Sequence, residues 1–294
     1  MIQGLIYSFI SAIAFGMLVI FVKLGYQAGL DAPEMMQYRF TFGVLILFFW
    51  LLFTDRAQLK ARPKTLLRCA AIGIFIYPLQ AILFAGAAKY IPASTTALIL
   101  YFYPVAVTLL SALFFKMKIG PTMILSLLLV VGGCALVFFD AFLQQMNMTG
   151  ISMAFGAMAV FSTYLMLVQV LLKDERPLRA TFYVLLFSSL TYNVHGGLTP
   201  YANITVDGLL IGLGLGLVAS VIAVAFLYLA IEKVGSAYAS IFSSIEPVAT
   251  LAAAAWLLGE NVVMLQVGGA ALIIAGIVLP NLRLLTIQRR LDER

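Results

Sequence analysis

Apolar runs of about twenty residues alternate along the chain with short polar interruptions, and a bilayer-spanning helix needs about that length. Ten such runs are present, at 3–23, 35–54, 66–88, 92–115, 119–139, 149–172, 179–198, 207–230, 235–257 and 261–282. The interruptions hold turn formers or charge, as at Gly29 to Pro33, Ile91-Pro92, Gly120-Pro121, Asn147 to Gly150 and Thr199-Pro200. None has room for a separate soluble domain. The pattern predicts an all-α membrane protein of ten transmembrane helices, here spans 1 to 10, in a single transmembrane domain over 1–294.

The pattern also repeats. Ile91-Pro-Ala-Ser-Thr-Thr-Ala-Leu-Ile-Leu-Tyr-Phe-Tyr-Pro104 is echoed by Val234-Gly-Ser-Ala-Tyr-Ala-Ser-Ile-Phe-Ser-Ser-Ile-Glu-Pro247. A shift of 143 residues puts Pro104 on Pro247, Ala112 on Ala255, Gly133 on Gly276 and Leu136 on Leu279. A fainter echo at a shift of 146 pairs Gly4…Ala14-Phe15-Gly16 with Gly150…Val160-Phe161-Ser162. The halves are a first five-helix repeat at 1–140 and a second at 147–283, followed by a cytoplasmic tail at 284–294. Five is odd, so the second half must enter the membrane upside down. Inverted repeats of this kind are the structural basis of alternating access, with the site at their interface.

Composition agrees with a lipid solvent. Hydrophobic residues make up 63% of the chain and charged residues 10%, against about 25% charged in a soluble domain. The net charge of +6 comes from loop lysines and arginines, so it speaks of membrane orientation and not of nucleic acid. With a cytoplasmic N-terminus, all eighteen bases fall inside except Lys23, Arg39 and Lys89, which places both termini in the cytoplasm. Lys116 and Lys118 follow span 4, whereas the matching turn after span 9 carries Glu260 and no base. Cys69 and Cys134 lie within apolar runs and read as small core hydrophobes, with no metal or disulfide. The N-terminal run lacks a basic leader region and is read as a retained first span.

Particular residues then point to a family. The stretch Tyr228-Leu-Ala-Ile-Glu-Lys-Val-Gly-Ser-Ala…Ser244-Ile-Glu246-Pro247-Val…Leu258-Gly259-Glu260…Gly268-Gly-Ala…Ala275-Gly276 resembles the repeat unit of the drug/metabolite transporter superfamily, the EamA-type transporters. Phe15-Gly16…Phe21-Val-Lys23-Leu and Gln37-Tyr-Arg39-Phe resemble its helix 1 and helix 2 signatures. Within the family, the aromatic-rich spans 3 and 4 are most similar to the bacterial aromatic amino-acid exporters. The resemblance implies a multi-pass protein of the bacterial cytoplasmic (inner) membrane. It implies export of aromatic or other neutral amino acids and related small metabolites, without a cofactor. The first half departs from the pattern, with Tyr103-Pro104 in place of Glu-Pro and Lys116 at the position of Gly259.

Glu246 is the one acid deep inside a predicted span. Such a group costs about 2.5–3.5 kcal/mol on insertion scales, so it invites a functional reading. Two roles stand open: bonding backbone groups freed by Pro247, or binding a proton or substrate. Pro78, Pro104 and Pro247 remove backbone donors from spans 3, 4 and 9 and are expected to kink them around a central cavity. Polar and aromatic residues gather on the same spans: Tyr77, Gln80 and Phe84; Tyr101 and Tyr103; Thr163 and Tyr164; Tyr228; Ser243 and Ser244. Ser and Thr are ordinary helix-packing material, while Tyr walls with a few hydrogen-bonding groups suit a planar solute with a polar end. Lys23 and Arg39 near the outer ends of spans 1 and 2 are read as snorkelling to the interface or forming a gate.

The sequence lacks a zinc-binding His-Glu-x-x-His helix, paired catalytic acids and a phosphate-binding Gly-x-x-x-x-Gly-Lys loop, which argues against an enzyme or an ATP-driven pump. The expected partners are a small-molecule substrate and membrane lipid. Spans 5 and 10, apolar and glycine-bearing, are expected to pack peripherally or support a homodimer. Scarce basic residues at depth disfavour phosphorylated sugars. The expectation is a secondary transporter. An exporter of other metabolites or drugs, or a channel-like facilitator, is the alternative.

Overall fold

The structure is a computed structural model and describes residues 2–87, 90–91, 93–139, 147–197, 199–259 and 261–292. Lys89, Glu260 and Arg294, used above for orientation, lie outside the described residues, as does the repeat boundary at 140–146. Among the described residues the secondary structure is helical, with no strand.

In chain order the elements are α1 (Ile2–Gln27), α2 (Ala32–Thr54), a 3-10 turn (Arg56–Leu59), α3 (Pro63–Ala70) and a π-helical segment (Ala71–Ile76) leading into α4 (Tyr77–Ala87). Then come α5 (Ala93–Leu100), α6 (Tyr103–Phe115) and α7 (Pro121–Val137). The remainder is α8 (Met148–Leu171), α9 (Pro177–Gly196), the short α10 (Thr199–Ala202) and α11 (Val206–Gly214). A second π segment (Leu215–Ile222) precedes α12 (Ala223–Ser243), α13 (Glu246–Leu258) and α14 (Met264–Asp292). Six helical stretches are long and apolar enough to cross a bilayer: Ile2–Gln27, Ala32–Thr54, Pro63–Phe84, Thr95–Phe115, Met148–Leu171 and Val206–Ser243. Shorter apolar helices run over Pro121–Val137 and Met264–Leu279.

The starts of these helices are written locally. Asp31 and Glu34 form a reciprocal capping box at α2, with bonds of 2.8 and 3.1 Å. Proline stands in the first turn of α2, α3, α6, α7, α9 and α13. There its missing N–H costs little, because that donor has no intrahelical partner anyway. The interruptions expected at Pro104 and Pro247 take the form of full breaks between helices. The chain turns just before them, at Tyr101-Phe102 and Ser244-Ile245, and each proline opens the next helix. Pro78 differs, since it follows a widened turn in which the Tyr77 N–H reaches back five residues to the Ile72 carbonyl. Predicted spans 8 and 9 are joined across Gly235, whose φ of +77° breaks the helix geometry where a side chain would be strained.

Large apolar side chains cover the outside: Trp256, Phe53, Leu67, Leu113 and Phe114 are all highly exposed. In water such a surface would be an aggregation liability; against lipid it is the favoured one. Helices α7 and α14 touch backbone to backbone, so that a Cβ on Gly133 would lie 2.6 Å from the Gly269 carbonyl oxygen. The Ser126 hydroxyl donates to the Gly276 carbonyl in the same seam. The glycine faces expected of spans 5 and 10 are thus used against each other within one chain.

One end of the bundle gathers charge. The α2–α3 and α8–α9 connections meet there, through Arg68–Asp174 at 2.8 Å and Arg176–Asp55 at 3.5 Å, and Arg179 pairs locally with Glu175 at 2.9 Å. Arg179 also donates to the Ala57 and Gln58 carbonyls, and Thr65 donates to Glu175. At the opposite end, Gln37 donates to Asn193 and to the Gly197 carbonyl, and Tyr38 donates to the Pro200 carbonyl.

Candidate substrate site

The interior is held by a ladder of aromatic rings. Phe40 meets Tyr77 edge-on with centroids 5.4 Å apart, and Tyr77 stacks on Tyr164 at 5.3 Å. Tyr164 stacks on Phe161 at 5.8 Å, and Phe161 meets Tyr103 at 5.0 Å. Tyr101 lies beside Tyr103 at 6.4 Å and stacks on Phe138 at 5.7 Å. Rings from α2, α4, α6, α8 and the α5–α6 turn thus form one continuous surface. Offset and edge-on contacts of this kind add about 0.5–1.5 kcal/mol each beyond burial.

Each hydroxyl on the ladder has a fixed partner. Tyr164 donates to Tyr228 at 3.0 Å, and Tyr103 donates to the Ser240 carbonyl at 3.3 Å. The Tyr101 hydroxyl pairs with the Glu246 carboxylate. Tyr77 accepts from Arg39 at 3.1 Å. Two bends supply this geometry. The α5–α6 turn brings Tyr101 and Tyr103 inward, and the α12–α13 turn brings Glu246 to meet them.

The predicted set divides accordingly. Tyr77, Tyr101, Tyr103, Tyr164, Tyr228, Ser243 and Ser244 are buried, while Glu246 is half-buried. Ser244 bonds the Ser240 carbonyl within its own helix, whereas the Ser243 hydroxyl is buried without a partner. Gln80 and Phe84 are half-buried on α4, below the turn that carries Pro78. Thr163 leaves the set: it is exposed, and its hydroxyl returns to the Ala159 carbonyl one turn earlier. The reason is geometric, because Ser162, Thr163 and Tyr164 point about 100° apart on a helix and cannot all face inward.

Arg39 is the larger correction. Its expected companion Lys23 is exposed, but Arg39 is only 6% exposed and faces the interior. Its guanidinium donates to the Ser220 hydroxyl at 3.2 Å, the Ala219 carbonyl at 2.8 Å and Tyr77. It neither snorkels nor stands at the surface. A base at the fifth position of an apolar run gives no sign in sequence of which way it turns.

The wet central pocket expected from the sequence is occupied here by the rings. Two cavities open instead at the Gln37 end. One of about 400 Å³ is lined by residues including Asp31, Glu34, Tyr38, Asn203 and Thr205. The other, of about 270 Å³, reaches Pro78 and Tyr192. Tyr192 stacks on Phe40 at 5.3 Å, so this second cavity ends against the ring ladder.

An apolar helical shell around a polar, aromatic interior, approached by a cavity from one end, is the architecture of a polytopic membrane transporter. The EamA-like transporter family model matches the chain twice, over 2–139 and 148–282, and the chain belongs to that family. It is similar to the uncharacterized transporter YcbK of Bacillus subtilis (strain 168), with 24% identity over 288 residues, 93% of this chain and 92% of that one. A solved crystal structure shares the fold at a TM-score of 0.79, with 16% identity over 98% of each chain.

Proposed function

We propose that the protein is a secondary transporter that exports aromatic and other neutral amino acids, or related small metabolites, across the bacterial cytoplasmic membrane by alternating access. The observation that carries this reading is the meeting of two bends. Tyr101 and Tyr103 from one come up to Glu246 and the Ser240 carbonyl at the other, beside stacked rings. A planar solute with a polar end matches that combination of flat apolar surface and a few fixed polar groups.

The two halves are read as inverted repeats of five spans, with both termini in the cytoplasm. Gly4 of α1 lies beside Val234, whereas Gly150 of α8 lies beside Tyr90 and Ile91 at the other end of the bundle. These neighbours support the reading that the first helices of the two halves run in opposite directions. The charged end, with Arg56, Lys60, Arg62, Lys64 and Arg68, is assigned to the cytoplasm by the positive-inside tendency. The Gln37 cavities then open to the outside, and the ladder bars the route below them.

The test is counterflow of labelled phenylalanine into proteoliposomes, with other amino acids as competitors. Saturable counterflow with competition by tyrosine and tryptophan is expected. Linear, unsaturable flux would indicate a channel. Absence of both flux and competition by aromatic amino acids would remove the aromatic assignment.

A further inference from the structure

Two opposite charges occupy the interior without closing on each other. Arg39 from α2 is nine-tenths buried, and its Nε and Nη2 are committed to neutral oxygens at 2.8–3.2 Å. Its Nη1 has only the Met36 sulfur at 3.9 Å, a weak acceptor. Among the described residues no carboxylate lies within salt-bridge distance of this guanidinium. Glu246 from α13 meets the Tyr101 hydroxyl, and Arg39 acts on it through space without pairing with it. One turn before it, the buried Ser243 hydroxyl has no hydrogen-bond partner.

A buried ion pair ordinarily closes, because each charge has given up its water and the partner is the main compensation. Here the fold keeps the charges at separate places along the ladder, Arg39 at Tyr77 and Glu246 at Tyr101. Among the described residues neither has a counter-charge within salt-bridge distance. A solute with only an anionic or only a cationic group would complete one and add net charge to a poorly solvating interior. A solute bearing both groups would complete both and add none.

We infer that Arg39 and Glu246 are the two charge-reading groups of the transport site, which selects zwitterions. The solute's carboxylate goes to Nη1 of Arg39, and its ammonium goes to Glu246 and the Ser243 hydroxyl. The inference rests on reading this region as the substrate site. It adds that both charges of an α-amino acid are required and that the ring ladder reads what lies beyond them.

The test is competition of counterflow in proteoliposomes of the full-length protein, using two matched triads. One is phenylalanine, phenethylamine and 3-phenylpropionate; the other is leucine, isoamylamine and 4-methylpentanoate. The zwitterion should compete at least about tenfold better than either singly charged relative. In Arg39→Gln the preference over the amine should fall below about threefold while that over the carboxylate persists, and Glu246→Gln should do the reverse. Equal competition within the triads overturns the inference, as do unchanged preferences in both variants. If Arg39→Gln does not fold, the wild-type triads decide alone. Leucine moving while phenylalanine does not would end the aromatic assignment and leave zwitterion selection standing. Movement of neither zwitterion would end both.

Discussion

Helices α6 and α13 are one backbone built from two sets of side chains. Both are 13 residues long, both follow a two-residue turn, and both carry proline in the first turn. The residues before them, Phe102 and Ile245, have nearly the same conformation, with φ of −76° and −69°. Both helices end in a left-handed residue, Lys116 with φ of 54° and Gly259 with φ of 67°. What differs is chemistry. The first bend presents Tyr103, satisfied by the Ser240 carbonyl; the second presents Glu246, which meets a tyrosine hydroxyl and feels the Arg39 charge only through space. A duplicated frame can thus keep its shape while one copy takes the charge and the other supplies its surroundings.

The largest effect expected from breaking this contrast is on transport. Glu246→Gln should lower the counterflow rate at least about tenfold, equivalent to about 1.4 kcal/mol, while Tyr103→Phe should change it less than about threefold. Equal losses would mean that the carboxylate merely holds the bend. The next effect contrasts the interior with the charged end, where ions are paired. Burial works to raise the Glu175 carboxyl, but hydrogen bonds from Thr65 and Arg179 outweigh it and hold the group below its ordinary range. Its contribution is therefore present above the unfolded value and lost as pH falls through the native one. Glu175→Gln should cost about 1 kcal/mol at pH 7, and the cost should shrink as pH falls through the carboxyl's lowered native range, read as detergent melting across pH. The smallest effect concerns the helix ends. Gly259→Lys should destabilise by about 1 kcal/mol, and Lys116→Gly should stabilise by somewhat less, both read as melting temperature.

Much of this was written plainly in the chain. Apolar run length gave the helices, and the register of Pro104 with Pro247 located both bends to within three residues. The burial of the ladder tyrosines was legible because aromatic and hydroxyl groups recur there on the same spans. The direction of Arg39 was not. A base near the end of an apolar run can turn outward or inward, and only the packing of α2 against Ser220 and Tyr77 decides. Thr163 failed for a related reason, since adjacency in sequence is divergence on a helix. The π segments left no periodic trace. Pro78 offered a cause for the first, and nothing comparable stands in Leu215–Ile222.

Those widened turns carry a consequence for motion. A π turn holds an additional residue relative to an α turn, and one residue corresponds to about 100° of helical rotation. Ala71–Ile76 lies immediately before Tyr77, and Leu215–Ile222 ends six residues before Tyr228. If either loop of slack were drawn into regular winding, the tyrosine beyond it would swing away from Tyr164, which both rings touch, without any helix unfolding. The molecule carries, on each side of its barrier, a ratchet tooth already cut.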